Sequence, residues 1–210
     1  MSIEFKKHLI VNHVRKYCKT NGIKLIISNK GLGNMFDPES KIMHIEDTKG
    51  KSLSYKLFIL SHEYGHMFQY VMDQDSLNLN SLDESIYHKL MMGERVESSK
   101  KKKMIRALLT EEHRATTIGL QYLKVHDCYP AYSTMKMIRR QANINMIRYY
   151  MRLHYGYEVS GLKHLSHVIP STHFIIPMSK EFNVLVKELR PQLKLENDIK
   201  QTLDKYYEYN

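Results

Sequence analysis

Cysteine is scarce in this chain: Cys18 and Cys128 are the two among 210 residues. Two thiols build neither a disulfide framework nor a zinc knuckle. That usage suits a reducing compartment, so the cytoplasm is the expected location. No uncharged apolar stretch of about 18 residues occurs, which argues against a membrane span. The apolar run Leu9-Ile10-Val11 is too short for the core of a signal peptide. Internal repeats and low-complexity tracts are absent. So are an RNP-like aromatic pattern, a helix-turn-helix signature and Cys/His finger spacing. Acidic residues are outnumbered, 22 against 32 Lys and Arg, for a net charge of +10. Such an excess can serve nucleic acid, an anionic surface or an acidic substrate. Scattered solubilising Lys and Arg account for it more simply when no nucleic-acid motif is present.

One stretch stands out against this background, His62-Glu63-Tyr64-Gly65-His66, with Leu57-Phe58-Ile59-Leu60 before it and Met67-Phe68 after it. Residues four apart share a helix face, with Cβ atoms about 5–6 Å apart. Two imidazoles so placed can close on one metal ion at about 2.0–2.1 Å. Glu63, one step round the helix, is poorly placed to ligate and well placed to reach a water on the metal. This is the H-E-x-x-H arrangement of the zincins, two His ligands and a Glu general base. The pattern also arises by chance, the more so among 12 histidines. Its context speaks against chance. Unpartnered His and Glu on an apolar helix would carry a desolvation cost. Gly65 costs about 1 kcal/mol in a helix interior, which a close backbone or metal approach would justify.

The remaining pattern predicts an α+β fold, mostly helical: a small zincin-like sheet packed on the H-E-x-x-H helix, followed by a helical bundle. Apolar spacing gives a helix over 4–19, stopped by Asn21-Gly22. A strand follows over 23–27, then turns at Gly31-Leu32-Gly33-Asn34 and Asp37-Pro38, then a second strand over 41–45. His44 in that strand is expected to be an ordinary strand residue. The motif helix starts near Ser52 or Ser54 and runs to about Met72. Ser81-Leu82-Asp83-Glu84 fits a capping box for a short helix over 82–92. The run Lys100–Lys103 reads as a solvated helix start or loop. Long helices follow over 103–125 and 131–154, and a further one over 181–189. We therefore expect a single domain over 1–210. Within it, 1–72 holds a helix, the sheet and the active helix, and 73–102 is a variable loop. Residues 103–190 form the helical part, and 191–210 a charged C-terminal tail, a peripheral helix or frayed.

A catalytic zinc has three protein ligands and an open position. The metzincin position is ruled out, because that class needs Gly and His where this chain has Gln69 and Met72. Glu112 is the expected third ligand. Leu108, Glu112, Ala115, Gly119 and Leu123 follow helical spacing, and the small residues at 115 and 119 allow close approach to another helix, with Gly65 the natural partner. Glu111, on the neighbouring face, is the runner-up. His113, Glu84, His88, Glu94 and Glu97 are further candidates without a small-residue face.

Three segments carry a resemblance: His62-Glu63-Tyr64-Gly65-His66-Met67-Phe68-Gln69, then Glu112-His113-Arg114-Ala115, then Arg140-Gln141-Ala142-Asn143 followed by Tyr149-Tyr150. Over roughly residues 55–155 the chain resembles a family of metallopeptidase-like proteins encoded by tailed bacteriophages. The spacing of the second segment is also similar to the third-ligand helix of the regulatory gluzincins related to ImmA and IrrE. The resemblance implies Zn2+ as cofactor, His62, His66 and Glu112 as ligands, Glu63 as base, and the host cytoplasm as the place of action. Many family members have Cys where this chain has Glu111, which leaves both carboxylates in play. The family's activity is itself inferred from its motif, so the likeness speaks to the site more than to the substrate.

The function expected is that of a zinc-dependent metallopeptidase acting on a peptide or protein substrate, with Tyr149, Tyr150, His126 and His154 as candidate oxyanion donors. Two other readings stand beside it. One is a non-catalytic, zinc-stabilised protein-binding module. The other is a basic nucleic-acid-binding protein using Arg140, Arg148 and Arg152.

Overall fold

Apolar residues at helical and strand spacing bury themselves where the pattern places them. In the computed structural model, residues 8–29, 33–47, 50–72, 84–91, 94–125, 132–155, 157–160, 167–192 and 194–198 are described. The protein is α+β and mostly helical. In chain order it runs α1 (Leu9–Thr20), β1 (Lys24–Ser28), β2 (Met35–Asp37), β3 (Ile42–Glu46), α2 (Leu53–Met72), α3 (Glu84–Met91), α4 (Ser98–Val125), α5 (Tyr132–Tyr155), β4 (Tyr157–Ser160), α6 (Lys180–Leu189) and β5 (Lys194–Asp198). No helix of the described residues is long and apolar enough to cross a membrane. Contacts group the chain into two compact units, Met1–Leu77 with Arg114–Gln141, and Asn78–His113 with Ala142–Asn210. The boundaries at 113/114 and 141/142 fall inside α4 and α5, which run unbroken through them.

In the first unit, β3 is the central strand of a three-stranded sheet, parallel to β1 and antiparallel to β2. Met43, His44 and Ile45 on β3 are buried. His44 is held on both sides of its ring, by Ser28 Oγ at 2.9 Å and the Gly33 carbonyl at 2.6 Å, and is a strand residue as expected. Asp47, directly after β3, forms a buried ion pair with Lys56 in the first turns of α2. Breaking such a pair leaves an uncompensated buried charge and is strongly destabilising, so it fixes how the sheet meets that helix.

Helix α2 begins where the Ser52 hydroxyl accepts a hydrogen bond from the Tyr55 amide at 3.2 Å. It is not amphipathic: every residue from Lys56 to Gly65 is buried, the mark of a helix surrounded by protein. Tyr64 stacks on Tyr122 of α4 with ring centroids 3.8 Å apart and meets the edge of Tyr17 of α1 at 5.3 Å. Burial raises its hydroxyl pKa, and neighbouring Tyr122, Tyr17 and Cys18 add to that. Cys18 is buried beside Met67, its Sγ 3.5 Å from the thioether sulfur. Burial pushes this thiol up to about 11, which makes it a packing residue rather than a nucleophile.

Helix α2 crosses the C-terminal half of α4 at close range. A Cβ on Gly65 would run into the Ala115 carbonyl, and one on Gly119 would run into the Ser61 carbonyl and come 3.2 Å from the His62 amide nitrogen. The small-residue face read from 115 and 119 is thus a backbone-to-backbone crossing, and Gly65 is its partner.

The second unit packs the N-terminal half of α4, the C-terminal half of α5 and α6 around Ile105, Leu109, Ile147, Met151, Phe182 and Leu189. Ser179 caps α6, its hydroxyl accepting from the Phe182 amide at 3.1 Å. Buried Asn143 pins the segment after residue 167. Its Nδ2 donates to the Pro170 and His173 carbonyls at 2.9 and 3.1 Å, and its Oδ1 accepts from the Ile175 amide at 3.0 Å. Strands β4 and β5 pair antiparallel.

Several expectations are corrected. Residues 35–37 form a strand, β2, where turns bracket the sequence. Helix α4 starts at Ser98 rather than 103, so the lysine run is a helix start, one of its two expected places, and not a loop. Residues 194–198 form strand β5, not a peripheral helix or frayed tail. The start of the helix over 4–19, the Ser81-Leu82-Asp83 part of the capping box, Cys128 and the tail beyond 198 lie outside the described residues.

The crossing gives a direct prediction. In Gly119→Ala the new methyl group meets backbone, which no rotamer change relieves. Overpacking typically costs about 1–3 kcal/mol and more where nothing can give. We expect a loss of about 3 kcal/mol in urea denaturation; a change within 0.5 kcal/mol would contradict the close crossing.

Candidate metal centre

The H-E-x-x-H segment lies in the middle of α2, one face of which is fixed by the glycine crossing. His62 is buried and His66 is half-buried. Their rings meet edge to face with centroids 4.7 Å apart, and their Nε2 atoms stand 3.3 Å apart. The His62 ring also stacks on Phe58, one turn earlier, at 5.9 Å.

The crossing sets Thr116 against His62. Its hydroxyl oxygen is 2.9 Å from His62 Nδ1. With the proton on Nδ1, His62 donates to that oxygen and keeps the Nε2 lone pair directed at His66. A ligating histidine needs this kind of fixed tautomer and ring orientation. Thr116 was not named from sequence. The signal was available, since it lies four residues after Glu112 and so on the same face of one helix.

Among the described residues, His62, His66 and Glu112 form a group whose ligand atoms all lie within 4.8 Å of one another. Glu112 also lines a cavity of about 200 Å³ together with Leu108, Leu109, Tyr149 and Arg152. Glu111, the runner-up, is half-buried and is not part of the group. His113 lies flat on Phe174, ring centroids 4.5 Å apart, and burial lowers its pKa. His88, Glu94 and Glu97 are exposed, and Glu97 lies 3.9 Å from Lys100. The side chain of Glu84 and the whole of His126 lie outside the described residues.

Does the donor set fit an ion? A tetrahedral ion holding two imidazoles at about 2.0–2.1 Å spaces their nitrogens by about 3.3 Å. The observed separation of 3.3 Å matches. Two nitrogens and a carboxylate are a donor set that suits zinc, and His66 and Glu112 are half-buried. Glu63 is buried next to His62 on the same helix.

Of the named oxyanion candidates, Tyr149 shares the cavity wall with Glu112. Tyr150 is taken up by ring contacts with His154 at 5.1 Å and Phe182 at 5.4 Å. Burial, followed by the charges of Lys101, Arg190 and Lys102, lowers the pKa of His154 and keeps it neutral near pH 7.

No family model, curated protein or solved structure matches the chain.

Two measurements check this arrangement. Thr116→Val keeps the shape and removes the partner of His62. Loss of such an outer contact typically weakens metal affinity about 10–100-fold, readable by chelator competition, and unchanged affinity would remove Thr116 from the site. Glu112→Gln should lower zinc content in elemental analysis while Glu111→Gln leaves it intact; the reverse result would exchange their roles.

Proposed function

We propose that this protein is a zinc-dependent metallopeptidase with a zincin-like site. The observation that carries the reading is the convergence of His62, His66 and Glu112, with imidazole nitrogens at the spacing a tetrahedral ion imposes. His62, His66 and Glu112 would hold the ion. Bound there, zinc would supply a Lewis acid and would bring the pKa of its water down to about 7. Glu63 acts as general base: its carboxylate takes a proton as water attacks the peptide carbonyl, then returns that proton to the leaving amine. Tyr149 is the oxyanion donor we assign, because it is partly exposed and shares a cavity with Glu112. Thr116 holds the tautomer of His62.

Nucleic-acid binding is the reading that the +10 charge and the acid-free sequence of α5 favour instead. Its contact residues are less well disposed for it. Arg148 is exposed, but Arg140 and Arg152 are half-buried, and phosphate contacts need accessible cations.

Glu63→Gln separates catalysis from metal binding. We expect the variant to retain about one zinc per chain and to lose cleavage of an unfolded protein substrate by at least about 100-fold, in line with removal of a general base. Retained cleavage would overturn the mechanism. Zinc in the unaltered protein with no cleavage of any substrate would favour a non-catalytic zinc-binding module.

A further inference from the structure

The start of α4 concentrates positive charge that the metallopeptidase reading does not use. Lys100, Lys101, Lys102 and Lys103 follow one another, and Arg106 comes less than a turn later. Over residues 98–106 Met104 and Ile105 are buried and Lys101 is half-buried. Every other residue there is exposed, and each is a serine, a lysine or an arginine. Lys102 and Lys103 lie four and three residues before Arg106, so the three share one side of the helix. Glu97 meets the run at Lys100, 3.9 Å away, with both side chains exposed. Among the described residues, Lys101, Lys102, Lys103 and Arg106 make no ion pair.

The core of the second unit brings further cations to the same end. Ile105 of α4, Met151 of α5 and Leu189 of α6 belong to one buried cluster. Lys101 lies one turn before Ile105, His154 one turn after Met151, and Arg190 directly after Leu189. After burial, the charges of Lys101, Arg190 and Lys102 hold the pKa of His154 down, so the three helix ends meet there. The first turn of α4 has no acidic residue, although lysines are disfavoured at the positive end of a helix. A surface charged for solubility alone would intersperse the two signs. An anionic partner offsets this crowding. Lysine is a hydrated point charge that suits phosphate, whereas the guanidinium fork is the better match for carboxylates. The exposed residues of the stretch include nothing apolar to enter a bilayer. An open helix side also fits a chain of phosphates better than a small ligand, which takes a concave pocket.

We propose that the side of α4 bearing Lys101, Lys102, Lys103 and Arg106 binds the phosphate backbone of a nucleic acid without reading its sequence. This is a second activity, separate from the metal centre and resting on none of its residues. Its affinity comes from release of the counterions condensed on the phosphates. It differs from the reading built on Arg140, Arg148 and Arg152, because the contacting cations lie on α4.

The test follows fluorescence anisotropy of a labelled, mixed-sequence DNA duplex with the full-length protein, over about 50 to 200 mM salt. Neutralising four phosphates predicts a slope of log K against log salt of about −3.6, and a loss of affinity of about 100-fold over that range. A second duplex of scrambled sequence should bind equally well. The combined variant Lys102→Gln, Lys103→Gln, Arg106→Gln should bring the slope close to about −1, since each lost phosphate contact removes about one. All three side chains are exposed and glutamine is a good helix former, so the fold is kept. A control variant, Lys16→Gln, Lys19→Gln, Lys24→Gln, removes the same charge from exposed positions of the first unit and should leave the slope unchanged. Absence of duplex binding at the lowest salt overturns the proposal. So does an equal change in both variants, which would assign the effect to net charge. Tighter binding of polyglutamate or of anionic lipid vesicles than of the duplex also overturns it.

Discussion

The close crossing of α2 and α4 is the constraint on which the rest of the site depends. Two glycines, Gly65 and Gly119, each stand where a methyl group would strike the backbone of the other helix. Each glycine costs about 1 kcal/mol of helix stability relative to alanine. Only such close approach brings the Thr116 hydroxyl within 2.9 Å of His62 Nδ1. Side-chain chemistry at the centre is thus a consequence of backbone contact between residues that carry almost no side chain.

Around that crossing the protein adds rigidity of different kinds. The buried Lys56–Asp47 pair ties the start of α2 to the end of β3, and the stacked Tyr64 and Tyr122 rings pack α2 on α4. In the second unit, Asn143 satisfies three backbone groups of the segment at 170–175 from a single amide. Lys56, Asp47 and Asn143 each have a partner, which is the condition under which burial of such groups is tolerated.

The site was legible in the sequence to the extent that helical periodicity could carry it. Spacing of four placed His62 and His66 together, and the run Leu108, Glu112, Ala115, Gly119 showed a carboxylate one turn from a small-residue face. That is why Glu112 could be preferred over Glu111 before any coordinates. Long helices were readable for the same reason, α2 nearly to the residue. What failed was short or non-local. Strand β2 has three residues between turn signals, too few for an alternation to show. Strand β5 lies in a charged stretch whose pairing with β4 is set by contact, not by pattern. The start of α4 was placed late because four lysines disfavour the positive end of a helix. Thr116 was overlooked because threonine is common on helices and its partner sits 54 residues away in the chain.

Zinc-edge X-ray absorption on the purified, zinc-loaded protein addresses the central claim most directly. The account predicts a shell of nitrogen and oxygen ligands only, with two imidazole signatures at about 2.0–2.1 Å and a carboxylate oxygen at a similar distance. A sulfur ligand near 2.3 Å, or a spectrum with fewer than two imidazoles, would contradict it.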